Sequence, residues 1–319
     1  MTLQKSTGDH YGAAVGYLLF GIAGGLGLDL CAKWLLVEYP IQQFVFLRSI
    51  FGLLFFLLAA RFYGGLGGLK TRRWKWHLLR TLFATGAMFG FFYGLSRMPL
   101  VNALTIAFTA PLFVTGLSVP FLGEHVGWRR WLAVVLGFVG VLIVLRPGKG
   151  LFDLAAIGLI VAAICYAGLA LTARSLAATE SSFSLAVYVV VGPFLVSSTL
   201  VQGNFIAPTI ADWFLFMLAG LCSALAWVGI VNGYRRAPPA LLAPFEYTAL
   251  VGAAIAGYLI WDEVPDVWVI TGGLIIIGSG LFIVYREIGN VLVTRALRVA
   301  ATSDAAVDSA PNAPDSVGE

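Results

Sequence analysis

The sequence predicts an all-α integral membrane protein whose ten transmembrane helices form two inverted five-helix repeats. Three observations predict it: a composition too apolar for water, ten apolar runs of spanning length, and a self-match between the two halves of the chain. Of 319 residues, 60% are hydrophobic and only 11% are charged, with a mean hydropathy of +0.91. A soluble domain carries about 25% charged residues, so this chain lacks the charge to cover a water-facing surface. Abundant aromatics, glycine without a three-residue period and only three cysteines exclude disordered, collagen-like and disulfide-framework classes.

A hydrocarbon core about 30 Å thick needs about 20 mostly apolar residues per helix. Cutting the chain where charge, Pro and Gly interrupt the apolar runs places spans at 12–35, 41–61, 77–96, 100–122, 128–146, 152–173, 182–202, 212–234, 240–261 and 267–285. These segments are apolar on every face, whereas barrel strands would be about ten residues long and would alternate apolar with polar.

Charge then orients the spans. Of the 20 Lys and Arg residues, all but Lys33, Arg48, Arg97, Arg146 and Lys149 fall on one side of the predicted topology. The positive-inside rule makes that side, with both termini, cytoplasmic, in a bacterial-type inner membrane. The cluster Arg72-Arg73-Trp74-Lys75-Trp76 is what a short cytoplasmic loop looks like and is not read as a nucleic-acid site. Residues 1–11 read as a polar cytoplasmic segment; the run after them is too long for a signal-peptide core, so the first span is expected to stay. Residues 287–319, small, acidic and Pro-containing toward the end, read as a cytoplasmic, partly disordered tail.

The self-match gives the domain organisation. At an offset of 139, Gly90, Gly94, Pro99, Thr109 and Ala110 recur as Gly229, Gly233, Pro238, Thr248 and Ala249, and Leu122-Gly-Glu124 is answered by Trp261-Asp-Glu263. Trp128, Gly140 and Arg146 recur at 140 as Trp268, Gly280 and Arg286, while Ala32-Lys33 is answered at 141 by Ala173-Arg174. The repeats are 12–146 and 152–286. Five spans per repeat is odd, so the second copy must enter the membrane with opposite orientation. Inverted repeats are characteristic of secondary transporters, with a substrate site near the midplane between the halves.

Met98-Pro99 through Phe121-Leu-Gly-Glu124, the helix with Trp131 and Gly140-Val141, and Ala243-Pro-Phe-Glu-Tyr247 through Trp261-Asp-Glu263 resemble the EamA domain of the drug/metabolite transporter superfamily. The resemblance covers residues 12 to 286. It implies a carrier of amino acids, amines, vitamins, nucleosides or similar metabolites, gradient-coupled or by exchange, in the style of S-adenosylmethionine and riboflavin uptake carriers. Lys33 occupies a position where members of the family commonly carry Lys or Arg. A non-transporting receptor or assembly scaffold is the competing class.

An ionisable side chain inside a span costs a few kcal/mol, so each one is a site hypothesis. Glu246 lies six residues into the ninth span, about 9 Å along it. It follows Pro244, which removes a backbone donor and can kink the helix. It reads as a substrate-amine or proton site, or else as an ion pair with Arg235 or Arg236. Asp29 and Arg48 fall at similar depth in adjacent spans and read as a structural pair or outer gate. Lys33 joins them as a gating or snorkelling cation. Tyr93, Tyr166, Trp227 and Tyr247, with Asn102 and Asn232, are at pocket-capable depth; rings around Glu246 would suit a cationic, zwitterionic or flat heteroaromatic solute. Pro111, Pro193 and Pro244 interrupt spans and are candidate flex points, while Gly86, Gly90 and Gly94 share a packing face with a counterpart in Gly229 and Gly233.

Other chemistries lack their residues. The string Arg146-Pro-Gly148-Lys149-Gly150 has Gly where a phosphate-binding loop needs Ser or Thr. His10, His77 and His125 are far apart, and Cys31, Cys165 and Cys222 have no paired spacing, so no metal, cofactor or catalytic triad is expected. The expected partners are a small-molecule substrate and the lipid bilayer, and a homo-oligomer is compatible with the sequence.

Overall fold

A computed structural model of the chain describes residues 3–60, 65, 69, 71–123, 127–145, 154–176, 179–234, 236, 242, 245–283 and 285. Among them all regular structure is helical: α1 (Leu3–Leu35), α2 (Ile41–Ala59), α3 (Trp74–Leu95), α4 (Leu100–Ala107), α5 (Ala110–Leu122), α6 (Trp128–Leu145), α7 (Leu154–Leu176), α8 (Ser182–Leu200), α9 (Ile210–Tyr234), α10 (Thr248–Trp261) and α11 (Val267–Ile283). Counting α4 and α5 together, eight described stretches are long and apolar enough to cross a membrane, and α10 and α11 are shorter apolar helices. The protein is an all-helical, ten-helix membrane protein.

Local chemistry explains where the helices begin and end. Pro40 and Pro99 stand just before α2 and α4 in extended conformation (φ −59°, ψ 146° and φ −53°, ψ 144°). A proline there loses no hydrogen bond and stops the preceding helix from running on. Ser181 caps α8, accepting the Ser184 N–H at 3.0 Å. At the other end of α1 hydropathy and structure part company. The helix starts at Leu3, so the polar residues read as a separate segment continue it. Hydropathy marks where lipid contact begins, which need not be where backbone hydrogen bonding begins.

The fourth span, in which Pro111 is a candidate flex point, is broken at Phe108 and Thr109. Pro111 in the first turn of α5 cannot donate to the carbonyl four residues back, and the Thr109 and Leu112 N–H groups take i−3 partners instead. A turn at Tyr247 separates Glu246 from α10 at the position 139 residues later than Phe108. The two broken spans also end alike. Gly123 after α5 (φ 66°) and Asp262 after α10 (φ 54°), again 139 apart, are both left-handed caps, a conformation that Gly adopts freely and Asp tolerates. The paired Gly-Glu and Asp-Glu phrases in the sequence are therefore helix stops.

The same offsets govern packing. α3 packs on α7, and α1 on α9. A Cβ on Gly90 would strike Gly158 and Ala162, and one on Gly229 would strike Tyr17 and Gly21; the contacted residues are related by 141 and the glycines by 139. Gly94 closes on Leu159 and Gly233 on Leu18, also 141 apart. Gly52 of α2 abuts Gly220 of α9, and Gly192 of α8 abuts Thr81 of α3. The glycines thus allow helices of one half to press against helices of the other, the close approach that favours association in lipid.

The largest buried core lies at the end of the bundle that carries the α1–α2 turn, where Leu35, Tyr39, Phe44, Leu95, Leu100 and Phe216 are each at most 4% exposed. The outer faces of α6 and α11 expose large apolar residues such as Leu136, Leu142, Ile270 and Leu274, as lipid contact requires. The Pro244 kink, Arg235, Arg146, Glu124 and the tail 287–319 lie outside the described residues.

Candidate functional site

A cavity of about 360 Å³ opens between the halves, walled by α1, α2, α3, both helices of the broken fourth span, α7, α8 and α9. Most of its lining is apolar: Phe91, Phe92, Leu104, Phe108 and several alanines. Into this wall the chain sets Asp29, Arg48, Tyr166, Ser223, Trp227 and Glu246. Both helix breaks reach the cavity, through Phe108, Ala110 and Pro111 on one side and Glu246 on the other.

Arg48 is 3% exposed. Its Nη1 donates to Ser223 Oγ at 3.1 Å, Nη2 approaches Met88 Sδ at 2.8 Å, and the guanidinium carbon lies 5.6 Å from the Phe92 ring centre. Asp29 faces the same cavity without an N···O contact to Arg48 within 4.0 Å. Thus two residues read together as a pair are both cavity residues. Tyr166 is 53% exposed because its ring stands in open space between this cavity and a second one.

The second cavity, about 220 Å³, is lined by Arg80, Leu185 and Ala186 and shares Tyr166, Leu169 and Trp227 with the first. It lies toward the α7–α8 loop. Arg80 is 2% exposed and its guanidinium ties α3 to the second half, Nη1 donating to Leu169 O at 2.8 Å and Nη2 to Leu185 O at 3.3 Å. One turn nearer the end, His77 Nε2 lies 3.4 Å from Glu180 Oε2, and Thr71 Oγ1 donates to Glu180 Oε1 at 2.7 Å. Burial pushes the Glu180 carboxyl up, but hydrogen bonds from Thr71 and Ser184, with the His77 imidazole close by, outweigh it and hold the group below the usual carboxylate range.

The opposite end is closed by charge as well as by packing. Lys33 pairs with Glu263, and its ammonium lies 5.0 Å from the centre of the Trp261 ring. The other oxygen of Glu263 accepts the Leu100 N–H at 3.0 Å, satisfying a donor at the start of α4. Tyr39 donates to Asp212 at 2.7 Å, and Gln43 exchanges two hydrogen bonds with the Ile206 backbone.

Of the residues singled out in the sequence, the structure therefore brings Asp29, Arg48, Tyr166, Trp227 and Glu246 to one cavity. The others stand elsewhere. Tyr93 is stacked under the Arg97 guanidinium at 4.0 Å, and Tyr247 lies behind Phe108 (ring centres 5.3 Å apart) with its hydroxyl beside Gly280. Asn232 donates to Val228 O and accepts from Arg236, which had been a candidate partner of Glu246. Asn102 is half-buried on α4 outside the cavity lining, and Lys33 is at the closed end. Arg80, His77, Met88 and Ser223 were not anticipated. The i, i+3 spacing of His77 and Arg80 was the available signal, but both fell among residues assigned to the cytoplasmic side or its interface.

Residues 15–146 match the EamA-like transporter family. The chain is 31% identical to an S-adenosylmethionine uptake transporter of Rickettsia bellii over 277 residues, 87% of this chain and 95% of the relative. It is 30% identical to a riboflavin transporter of Rhizobium johnstonii, covering 86% and 91% of the two chains, and 27% identical to a pseudopaline exporter of Pseudomonas aeruginosa, covering 75% and 84%. A solved crystal structure, 18% identical, superposes with a TM-score of 0.61 over 84% of this chain and 97% of its own, which supports the helical fold. Fold, cavity and relatives agree: the chain belongs to the EamA-like transporter family of the drug/metabolite transporter superfamily and is a multi-pass membrane transporter of small metabolites, not an enzyme.

Proposed function

We propose that this chain carries its solute across the inner membrane by alternating access, as two inverted repeats (12–146 and 152–286) that rock around the central cavity. The observation that carries the reading is the placement of Asp29, Arg48 and Glu246 in an otherwise apolar wall between the halves, where charge is costly and serves substrates or ions. Glu246 with Tyr166 and Trp227 supplies an acidic, aromatic face suited to an amine, a sulfonium or a flat heteroaromatic ring. Glu246 also serves as the proton-coupling group. Tyr93, Asn102, Asn232 and Tyr247 are proposed to reach substrate only in a conformation other than this one. Both termini and the Glu180 end are cytoplasmic in this reading, so the cavity chain from Arg48 to Arg80 faces inward.

Purified protein in proteoliposomes tests this with labelled S-adenosylmethionine, riboflavin, amino acids, nucleosides and polyamines. Counterflow of at least one solute is expected, with Glu246→Gln reducing it at least about tenfold or removing its pH dependence. Absence of counterflow across the whole panel, with the fold intact, would favour a receptor or scaffold instead.

A further inference from the structure

The donors of Arg48 do not balance. A guanidinium carries five N–H groups and, when buried, needs them met by acceptors. Nη1 has Ser223, but Nε has no hydrogen-bond partner and Nη2 meets only the thioether of Met88, a weak acceptor. Nε and Nη2 form one edge of the guanidinium plane, with two parallel N–H vectors spaced to match the two oxygens of a carboxylate. Phe92 covers a face of the group, Ser223 fixes its far side, and the side chain over the open edge is methionine, the most readily re-packed of apolar residues. Asp29, the nearest candidate to fill that edge, is not in contact with it.

We propose that the Nε–Nη2 edge of Arg48, held by Ser223 and uncovered by a swing of Met88, is the subsite for a carboxylate on the transported solute. The inference rests on the central-cavity reading above and narrows it: the substrate is an amphoteric molecule whose carboxylate sits on Arg48 while its cationic part faces the acidic side chains. A phosphate ester fits less well. A dianion would enter a cavity whose charged lining, Asp29 and Glu246 against Arg48, is already formally negative.

Matched pairs of solutes differing only in the carboxylate test it: S-adenosylmethionine and its decarboxylated form, arginine and agmatine, tyrosine and tyramine, histidine and histamine, each as a competitor of counterflow in proteoliposomes, with riboflavin as a solute lacking the group. For the wild type, the carboxylate-bearing member of at least one pair is expected to bind at least about tenfold more tightly than its partner. Arg48→Gln should erase that ratio, and Arg48→Lys, which keeps charge without the fork, should reduce it severalfold. Ser223→Ala should lower it less. A merely structural arginine would weaken both members equally and leave the ratio intact, which overturns the proposal, as would a wild type that transports riboflavin or the decarboxylated members equally well or better. In those cases transport itself persists and the central-cavity reading stands. A wild type that transports nothing in the panel defeats both.

Discussion

The two ends of the bundle carry different side chains at positions that the packing offsets relate. At the Glu263 end, Phe44 and Phe216 meet with ring centres 6.1 Å apart, and Tyr39 packs edge-on to Phe216 at 5.2 Å. By the offsets that relate the packing glycines, 140 for α2 with α8 and 139 for α3 with α9, the counterparts of Phe44 and Phe216 are Ser184 and His77. These two also meet, but through Glu180, which lies 3.4 Å from each. The plug of buried Phe44 and Phe216 rings holds by burial, whereas a carboxylate with hydroxyl and imidazole neighbours can exchange each of them for water. The difference teaches that positions related by the packing offsets need not close the two ends alike. The Glu263 end is packed, and the Glu180 end leaves a cavity at Arg80.

Truncating the plug should do most to break this contrast. Phe216→Ala removes a fully buried ring and is expected to cost about 3–5 kcal/mol of unfolding free energy in detergent, whereas His77→Ala at the equivalent position should cost less. Equal losses would mean that the two ends are held alike. Next, Glu263→Gln leaves the Lys33 ammonium without its counter-charge and should cost about 1.5–3 kcal/mol. Adding Lys33→Met should restore part of the loss in a double-mutant cycle. Tyr39→Phe deletes one hydrogen bond to Asp212 and should cost about 0.5–1.5 kcal/mol, read by the same melts.

The smallest effect should be confined to the Glu180 end and depend on pH. The folded chain holds the Glu180 carboxyl below the usual value, so its contribution is complete above the unfolded pKa of about 4.3 and is lost as pH falls through the lower folded value. The stability difference between wild type and Glu180→Gln should therefore be flat near neutrality and shrink on acidification below about pH 4.3. A difference that grew with acid would reverse the assigned sign.

Much of the fold was legible because lipid enforces it: a helix without water must satisfy its own backbone and show an apolar surface, so spans, turns and the Gly-Glu stops stand out in the sequence. Cost also exposed part of the site, since Asp29, Arg48 and Glu246 are charges where charge is expensive. Rotation about the helix axis was not legible. In a span that is apolar all round, periodicity does not say which face meets the cavity, so Tyr93 and Tyr166 were indistinguishable, yet Tyr93 stacks on Arg97 while Tyr166 lines both cavities. Arg80 was hidden for a related reason. Counting basic residues to find the cytoplasmic side treats each as solvated, and this one is buried against backbone carbonyls of α7 and α8. The break at Phe108 was signalled by Pro111, though its place on the cavity wall came only with the packing.

Alternating access requires the two ends to exchange states, and distances across them report that directly. In a chain with its three cysteines replaced, one spin-label pair at Val37 and Val264 spans the Glu263 end, and another at Arg72 and Thr179 spans the Glu180 end; all four positions are exposed. Pulsed electron-spin measurements in liposomes, with and without a solute that shows counterflow, should find the two distances shifting in opposite directions as the population moves. Distances that stay fixed while transport proceeds, or that widen together, would contradict the account.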